Sequence, residues 1–161
     1  MSAGPSAGDP PQGLRYEVEA ATKGPGVSTA TTREAQISLD SSADQSETLF
    51  GPADLLAAAL AACILKNVER FSHRLPFRYR AARVKVVAER ADTPPRIVRF
   101  SYRLDIETDE PPHRVDLLHR NIVKFGTIYN TLAPTCEISG QILAHPADER
   151  TRAPAGPLPE S

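Results

Sequence analysis

The chain has 161 residues, with 19 Lys and Arg against 20 Asp and Glu and a net charge of −1. That balance removes the general electrostatic case for nucleic acid or an anionic membrane as partner. Two cysteines in a chain of this length do not make a disulfide scaffold, and the length suits one domain with a real core.

The opening stretch MSAGPSAGDPPQG has neither the basic start nor the apolar centre of a signal peptide. No apolar run reaches the roughly 20 residues that cross a bilayer. The expectation is a cytoplasmic protein whose thiols stay reduced. Residues 1–12 and 147–161 are rich in Pro, Gly, Ala and Ser and poor in large apolar groups, so they are expected to be disordered tails on a domain over residues 13–146.

Two strand-like segments open the domain, Leu14 to Thr22 and Val27 to Leu39, separated by the turn-forming KGPG. Then comes the stretch GPADLLAAALAACI, residues 51–64. Pro52 suits a first helical turn, Asp54 suits the positive end of the helix dipole, and Ala and Leu are strong helix formers. The helix can run to about His73 before Pro76 ends it. From Leu55 to Leu65 it is apolar all round, so one sheet face cannot cover it. An identical subunit is the simplest cover, which predicts a homodimer with these helices at its centre.

Two strands are expected next. In the first, Val84 and Val86 are set against Arg83 and Lys85. In the second, Val98, Phe100, Tyr102, Leu104 and Ile106 alternate with Arg99, Ser101, Arg103, Asp105 and Glu107, the period-2 pattern of a sheet with one buried face. Pro111-Pro112 starts a second helix, in which Val115, Leu118, Ile122 and Phe125 recur at helical spacing and Gly126 stands where a C-terminal cap is preferred. After the segment TIYNTLAP, a last strand puts Cys136, Ile138, Gly140 and Ile142 on one face. Strands, helix, strands, helix, strand make an α+β fold with a mostly antiparallel sheet packed on two helices.

Cys63 lies inside the apolar run. A thiol there is either a small packing group or a nucleophile in a dry pocket. The second reading needs a cation close by to hold the thiolate, and Lys66, Arg70 and Arg33 (in the strand before the helix) are the candidates. Asp54 stands nine positions before Cys63, about 13 Å along the axis and on the opposite side, so it reaches a Cys63 only across a dimer interface. Otherwise it is a favourable charge in the first helical turn. Cys136 reads as a core-facing strand residue, and a disulfide between Cys63 and Cys136 stays open, since contact depends on the fold. His73, His113, His119 and His145 are scattered, and no metal-ligand spacing, phosphate loop or nucleophile elbow is present. Neither a metal nor a cofactor is expected. Arg78, Arg80, Arg83 and Lys85 alternate with apolar residues as on an exposed sheet face, and a nucleic-acid surface there is the minor reading.

The helix PADLLAAALAAC resembles the central helix of the OsmC/Ohr family, whose pattern there is Pro-x-Asp/Glu-Leu-Leu-x-Ala-Ala-x-x-Ala-x-Cys. The resemblance extends over the order of elements from about Leu14 to Leu143, with the strand TREAQISLD before the helix and KFGTIYNTLA after the second one. It implies an intertwined homodimer with two active sites at its interface. It also implies reduction of organic hydroperoxides by a peroxidatic Cys, a resolving Cys, an Arg and an acidic residue, with dithiols as reductant. Carried over, the peroxidatic residue is Cys63 and the activating Arg is Arg33. The acid of the best-characterised reductases falls at Ala53, whereas Asp54 matches that of other OsmC-like members. The resolving Cys falls at Gly126, so the chain resembles a divergent subgroup, and Cys136 is a possible secondary thiol. The implied function is thiol-dependent peroxide reduction in oxidative-stress protection, with an external thiol or dithiol as partner. The alternative on the same dimer is a small-molecule-binding or redox-sensing protein in which Cys63 does not turn over.

Overall fold

A computed structural model of the chain describes residues 13–146. The two expected tails lie outside these described residues. The chain divides into two units, Met1–Gly51 and Pro52–Ser161.

The first unit is a three-stranded antiparallel sheet of β1 (Glu19–Gly24), β2 (Val27–Thr32) and β3 (Ala35–Asp40), in that order. Pro25 and Gly26 make the first turn, and Gly26 takes the positive φ of 73° that such a turn asks of its third residue. The single strand expected from Val27 to Leu39 is two strands. They part at Arg33 and Glu34, where the pair Thr32 and Ala35 closes a two-residue turn and Arg33 carries φ 53°. No glycine or asparagine marks that turn, which hid it in the sequence. Arg33 is therefore an exposed turn residue and not part of a strand. Beyond β3, the Asp40 carboxylate accepts hydrogen bonds from the Ser42 hydroxyl and the Ser42 and Ser46 amides, which hold its carboxyl below the usual range.

The second unit holds the α+β core. Helix α1 (Pro52–Arg74) buries Leu60, Ile64, Asn67, Val68 and Phe71, a stripe at helical spacing on one face. Each large apolar member of that stripe contributes about 1.5–3 kcal/mol. Strands β4 (Ala81–Asp92), β5 (Pro95–Glu107) and β6 (Glu137–His145) form a second sheet with β5 in the centre. Three of the four strand pairings in the two sheets are antiparallel; β5 and β6 run parallel. Parallel neighbours need a crossover, and α2 (Pro112–Phe125) with the short α3 (Thr127–Leu132) supplies it. The segment TIYNTLAP is thus mostly helical.

The alternation expected in β5 holds for Phe100, Tyr102, Leu104 and Ile106, all buried. It fails at Val98. A bulge opposite Glu89 and Arg90 inserts Val98 as an extra residue, so Ile97 packs on the core in its place. In α2, Val115, Leu118 and Ile122 are buried, while Phe125 at the helix end stays exposed with its ring 5.5 Å from that of Phe71. Cys136 falls one residue short of β6, not on the strand as expected, and packs on the core with Ile138 and Ile142, which share one face of β6. Gly140, on that face, leaves room for the ring of its β5 neighbour Tyr102, which a Cβ would strike.

The Tyr102 hydroxyl then meets Nε2 of His119 on α2 at 2.6 Å. Burial, with the nearby Tyr129, pushes the phenol up to about 12, so it stays neutral. Burial lowers the His119 pKa from its usual value, against the opposing pull of Asp116. A neutral imidazole can accept the phenol's proton at Nε2; a protonated one cannot. Because the unfolded His119 takes up its proton first as pH falls, stability is full above about pH 6.5 and drops below it. We expect the melting temperature to fall between pH 7 and pH 5.5 by a larger amount in the wild type than in His119→Gln. Parallel pH curves for the two proteins would contradict this.

Candidate active site

Helix α1 carries Cys63 on the flank of its buried stripe, and the thiol is half-buried. Across from it runs the corner between α2 and α3, where Gly126 is the one residue between the helices and is buried. Gly126 has φ −72° and ψ 111°, ordinary extended backbone, and not the left-handed cap expected for a helix-ending glycine. Its missing side chain matters for space. A Cβ there would lie 3.3 Å from Cys63 Sγ, 3.1 Å from Tyr129 Cβ and 2.9 Å from the Ile122 carbonyl oxygen. The glycine therefore lets the α2–α3 corner close onto the sulfur.

One side chain beside the thiol escaped the sequence reading. Asn67, one turn past Cys63, is buried, and its amide nitrogen donates to the Cys63 carbonyl at 2.8 Å and lies 3.6 Å from Cys63 Sγ. An amide among Leu60, Ile64, Val68 and Phe71 on a buried stripe was the available signal.

Asp54 is exposed in the first turn of the same helix, so the rigid rise between it and Cys63 stands, and one protomer does not bring them together. Lys66 and Arg70 are exposed, and the Arg70 guanidinium lies 5.7 Å over the Phe71 ring. Arg33 belongs to the first unit, in its turn. Cys136 and Cys63 are both free thiols. Cys136 Sγ donates to the Ile97 carbonyl at 3.3 Å and sits 3.6 Å from the Thr135 hydroxyl, just before β6. Among the described residues no three His, Cys, Asp or Glu side chains gather as metal ligands, and no helix is long and apolar enough to cross a membrane.

A cleft of about 1210 Å³ opens at the other end of α1, lined by Ser72, Phe77, Arg80, Thr108 and Arg114 among others. Its charged groups are engaged with each other: Arg80 with Asp109 at 3.2 Å, Arg114 with Glu110 at 2.7 Å and with the Leu75 and Pro76 carbonyls. Cys63 does not line it.

A family model described as OsmC-like protein matches residues 43–139. The chain belongs to the OsmC-like protein family. Among curated proteins none matches it significantly. Its fold is shared by solved OsmC-type structures. An OsmC-like protein from Mycoplasma pneumoniae is 19% identical with a TM-score of 0.74, over 81% of this chain and 97% of that one. The organic hydroperoxide resistance protein OhrB of Bacillus subtilis is 13% identical with a TM-score of 0.60, over 80% and 98%. An organic hydroperoxide resistance protein OsmC from Legionella pneumophila is 14% identical with a TM-score of 0.62, over 81% and 98%. The α+β OsmC-like architecture expected from the sequence is the one found.

A Cβ at Gly126 would need the α2–α3 corner to shift slightly, since it meets the Ile122 carbonyl oxygen at 2.9 Å, but it would stand near disulfide distance of the Cys63 sulfur. In a disulfide, the Cβ of one cysteine lies about 3 Å from the sulfur of the other, close to the 3.3 Å found here. In this OsmC-like protein a Gly126→Cys substitution should therefore place a thiol that forms a disulfide with Cys63 under mild oxidation. Non-reducing peptide mass spectrometry would find the linked peptides; a variant with both thiols still alkylatable after oxidation would contradict the geometry.

Proposed function

We propose that this OsmC-like protein is a thiol-dependent peroxidase of the oxidative-stress response that reduces organic hydroperoxides from Cys63. The observation that carries the reading is the half-buried free thiol of Cys63, flanked by a buried amide donor and by the side-chain-free Gly126. The hydroperoxide resistance proteins that share the fold support the reaction class. In the proposed step the Cys63 thiolate attacks the distal peroxide oxygen. The O–O bond breaks, an S–O bond forms, and the leaving alkoxide takes a proton, giving an alcohol and a sulfenic acid at Cys63. Two equivalents of an external thiol then close the cycle. The first displaces water from the sulfenic acid to give a mixed disulfide, and the second releases Cys63 and carries away the oxidised pair. Gly126 in place of a second thiol favours this external route, with Cys136 a possible secondary thiol.

The proposed assembly is a homodimer. Leu56 and Leu65 of α1 are exposed on different flanks of the helix, and Leu14, Tyr16, Val18, Ile37 and Phe50 of the first unit are exposed. Such a set of large apolar groups asks for a cover, and a second copy offers matching surfaces. It would also offer a route for Asp54, which lies on the far side of its own helix from Cys63, to approach the thiol of the partner copy. An apolar interface of this kind favours alkyl or lipid hydroperoxides over hydrogen peroxide.

Reduced protein mixed with one equivalent of cumene hydroperoxide should show Cys63 as a sulfenic acid within seconds in peptide mass spectra, and Cys63→Ser should lose turnover with a thiol reductant. An unmodified Cys63 after minutes, or activity retained in Cys63→Ser, would sink the peroxidase and favour a binding or sensing role. For the assembly, light scattering should give twice the 17.4 kDa of one chain, and Leu56→Glu with Leu65→Glu should lower that mass. A wild-type particle of one chain at micromolar concentration would rule the dimer out.

A further inference from the structure

We infer that Asn67 is a positioning residue for the Cys63 sulfur, holding its thiolate and fixing the direction it faces. The inference rests on Cys63 being the reactive group, and it deepens that reading by naming what poises it. Asn67 is 7% exposed and its side chain lies on the stripe that packs into the apolar core. Asn is a poor helix former and an amide is costly to bury, so a residue serving packing alone would be apolar there.

The orientation of the amide is fixed by chemistry. A carbonyl oxygen only accepts, so the group 2.8 Å from the Cys63 carbonyl is the NH2 and not the oxygen of Asn67. That nitrogen has two hydrogens. One meets the carbonyl, and the other is available to Cys63 Sγ, 3.6 Å away. A donor aimed at sulfur favours the thiolate over the neutral thiol, because an N–H bonds an anion more strongly than it bonds an S–H group. Both contacts go to the same residue one turn back, so the amide is itself held in place and cannot swing away without losing its carbonyl bond.

The other groups around the sulfur do not duplicate this. Gly126 contributes no side chain, Tyr129 from α3 brings its Cβ to the corner, and the exposed Lys124 at the end of α2 lies over the Phe125 ring at 5.2 Å. On α1 itself Lys66, Glu69 and Arg70 are exposed, Glu69 taking hydrogen bonds from Tyr79 at 2.6 Å and His73 at 2.9 Å. Within its unit, Asn67 is the donor recorded at Cys63 Sγ.

The test uses Asn67→Leu, which keeps the branching and removes the donor, and Asn67→Asp, which keeps the shape and replaces the donor by a negative charge. Cys63 alkylation by iodoacetamide is followed by peptide mass spectrometry across pH 5 to 9, on full-length protein whose circular dichroism and melting are recorded alongside. In the Leu variant the rate at pH 7 should fall at least about tenfold, the worth of a hydrogen bond to a charged group, and its rate-against-pH curve should move to higher pH. The Asp variant should move further in the same direction. A merely structural amide would lower the melting temperature and leave these curves superimposed, and superimposed curves in folded variants overturn the inference. Should the Leu variant not fold, the isosteric Asp variant carries the comparison. Shifted curves together with a wild-type Cys63 inert to cumene hydroperoxide would uphold Asn67 and remove the peroxidase reading instead.

Discussion

Leu60, Ile64, Val68 and Phe71 press one face of α1 into the core shared with β4, β5, β6 and α2, and the position of everything else of interest follows from that contact. Helical spacing puts Cys63 on the flank of the stripe and Asn67 within it. Because the helix is apolar all round from Leu55 to Leu65, burying that one stripe still leaves Leu56 and Leu65 exposed on different flanks.

The second constraint is the crossover. Since β6 lies parallel to β5, the chain must travel back along the sheet between them, and α2 and α3 make that journey with a single residue at their junction. The tightness of that corner, and not any demand for a left-handed backbone, explains the glycine. Gly140 obeys a similar rule on the sheet, where absence of a side chain makes room for the Tyr102 ring and so for its reach to His119. Two glycines therefore act here as spaces that neighbouring groups fill.

Much of this was legible in the residues. Alanine and leucine between Pro52 and Ile64 declared α1, and alternation declared β4 and β5, because these patterns are set by local geometry alone. The motif around Cys63 pointed to the family that the match over residues 43–139 establishes. What escaped depended on contacts distant in sequence. The turn at Arg33 is fixed by the pairing of Thr32 with Ala35 and carries no turn-forming residue. The bulge at Val98 answers to its partner strand. Asn67 looked like an ordinary polar interruption until its face of the helix was known, and Gly126 caps α2 as its position promised but does so in extended backbone that leads straight into a further helix.

Cys63 lies near the middle of a helix that runs unbroken from Pro52 to Arg74. Reaching a distant thiol from there would mean melting turns on both sides of it, against the burial of Leu60 and Ile64 before and after the sulfur. The Cys63 sulfur is in effect bolted to the scaffold. Whatever reacts with it has to travel to it. For the proposed peroxide cycle this means that substrate and reductant would both have to come to a sulfur whose backbone stays still.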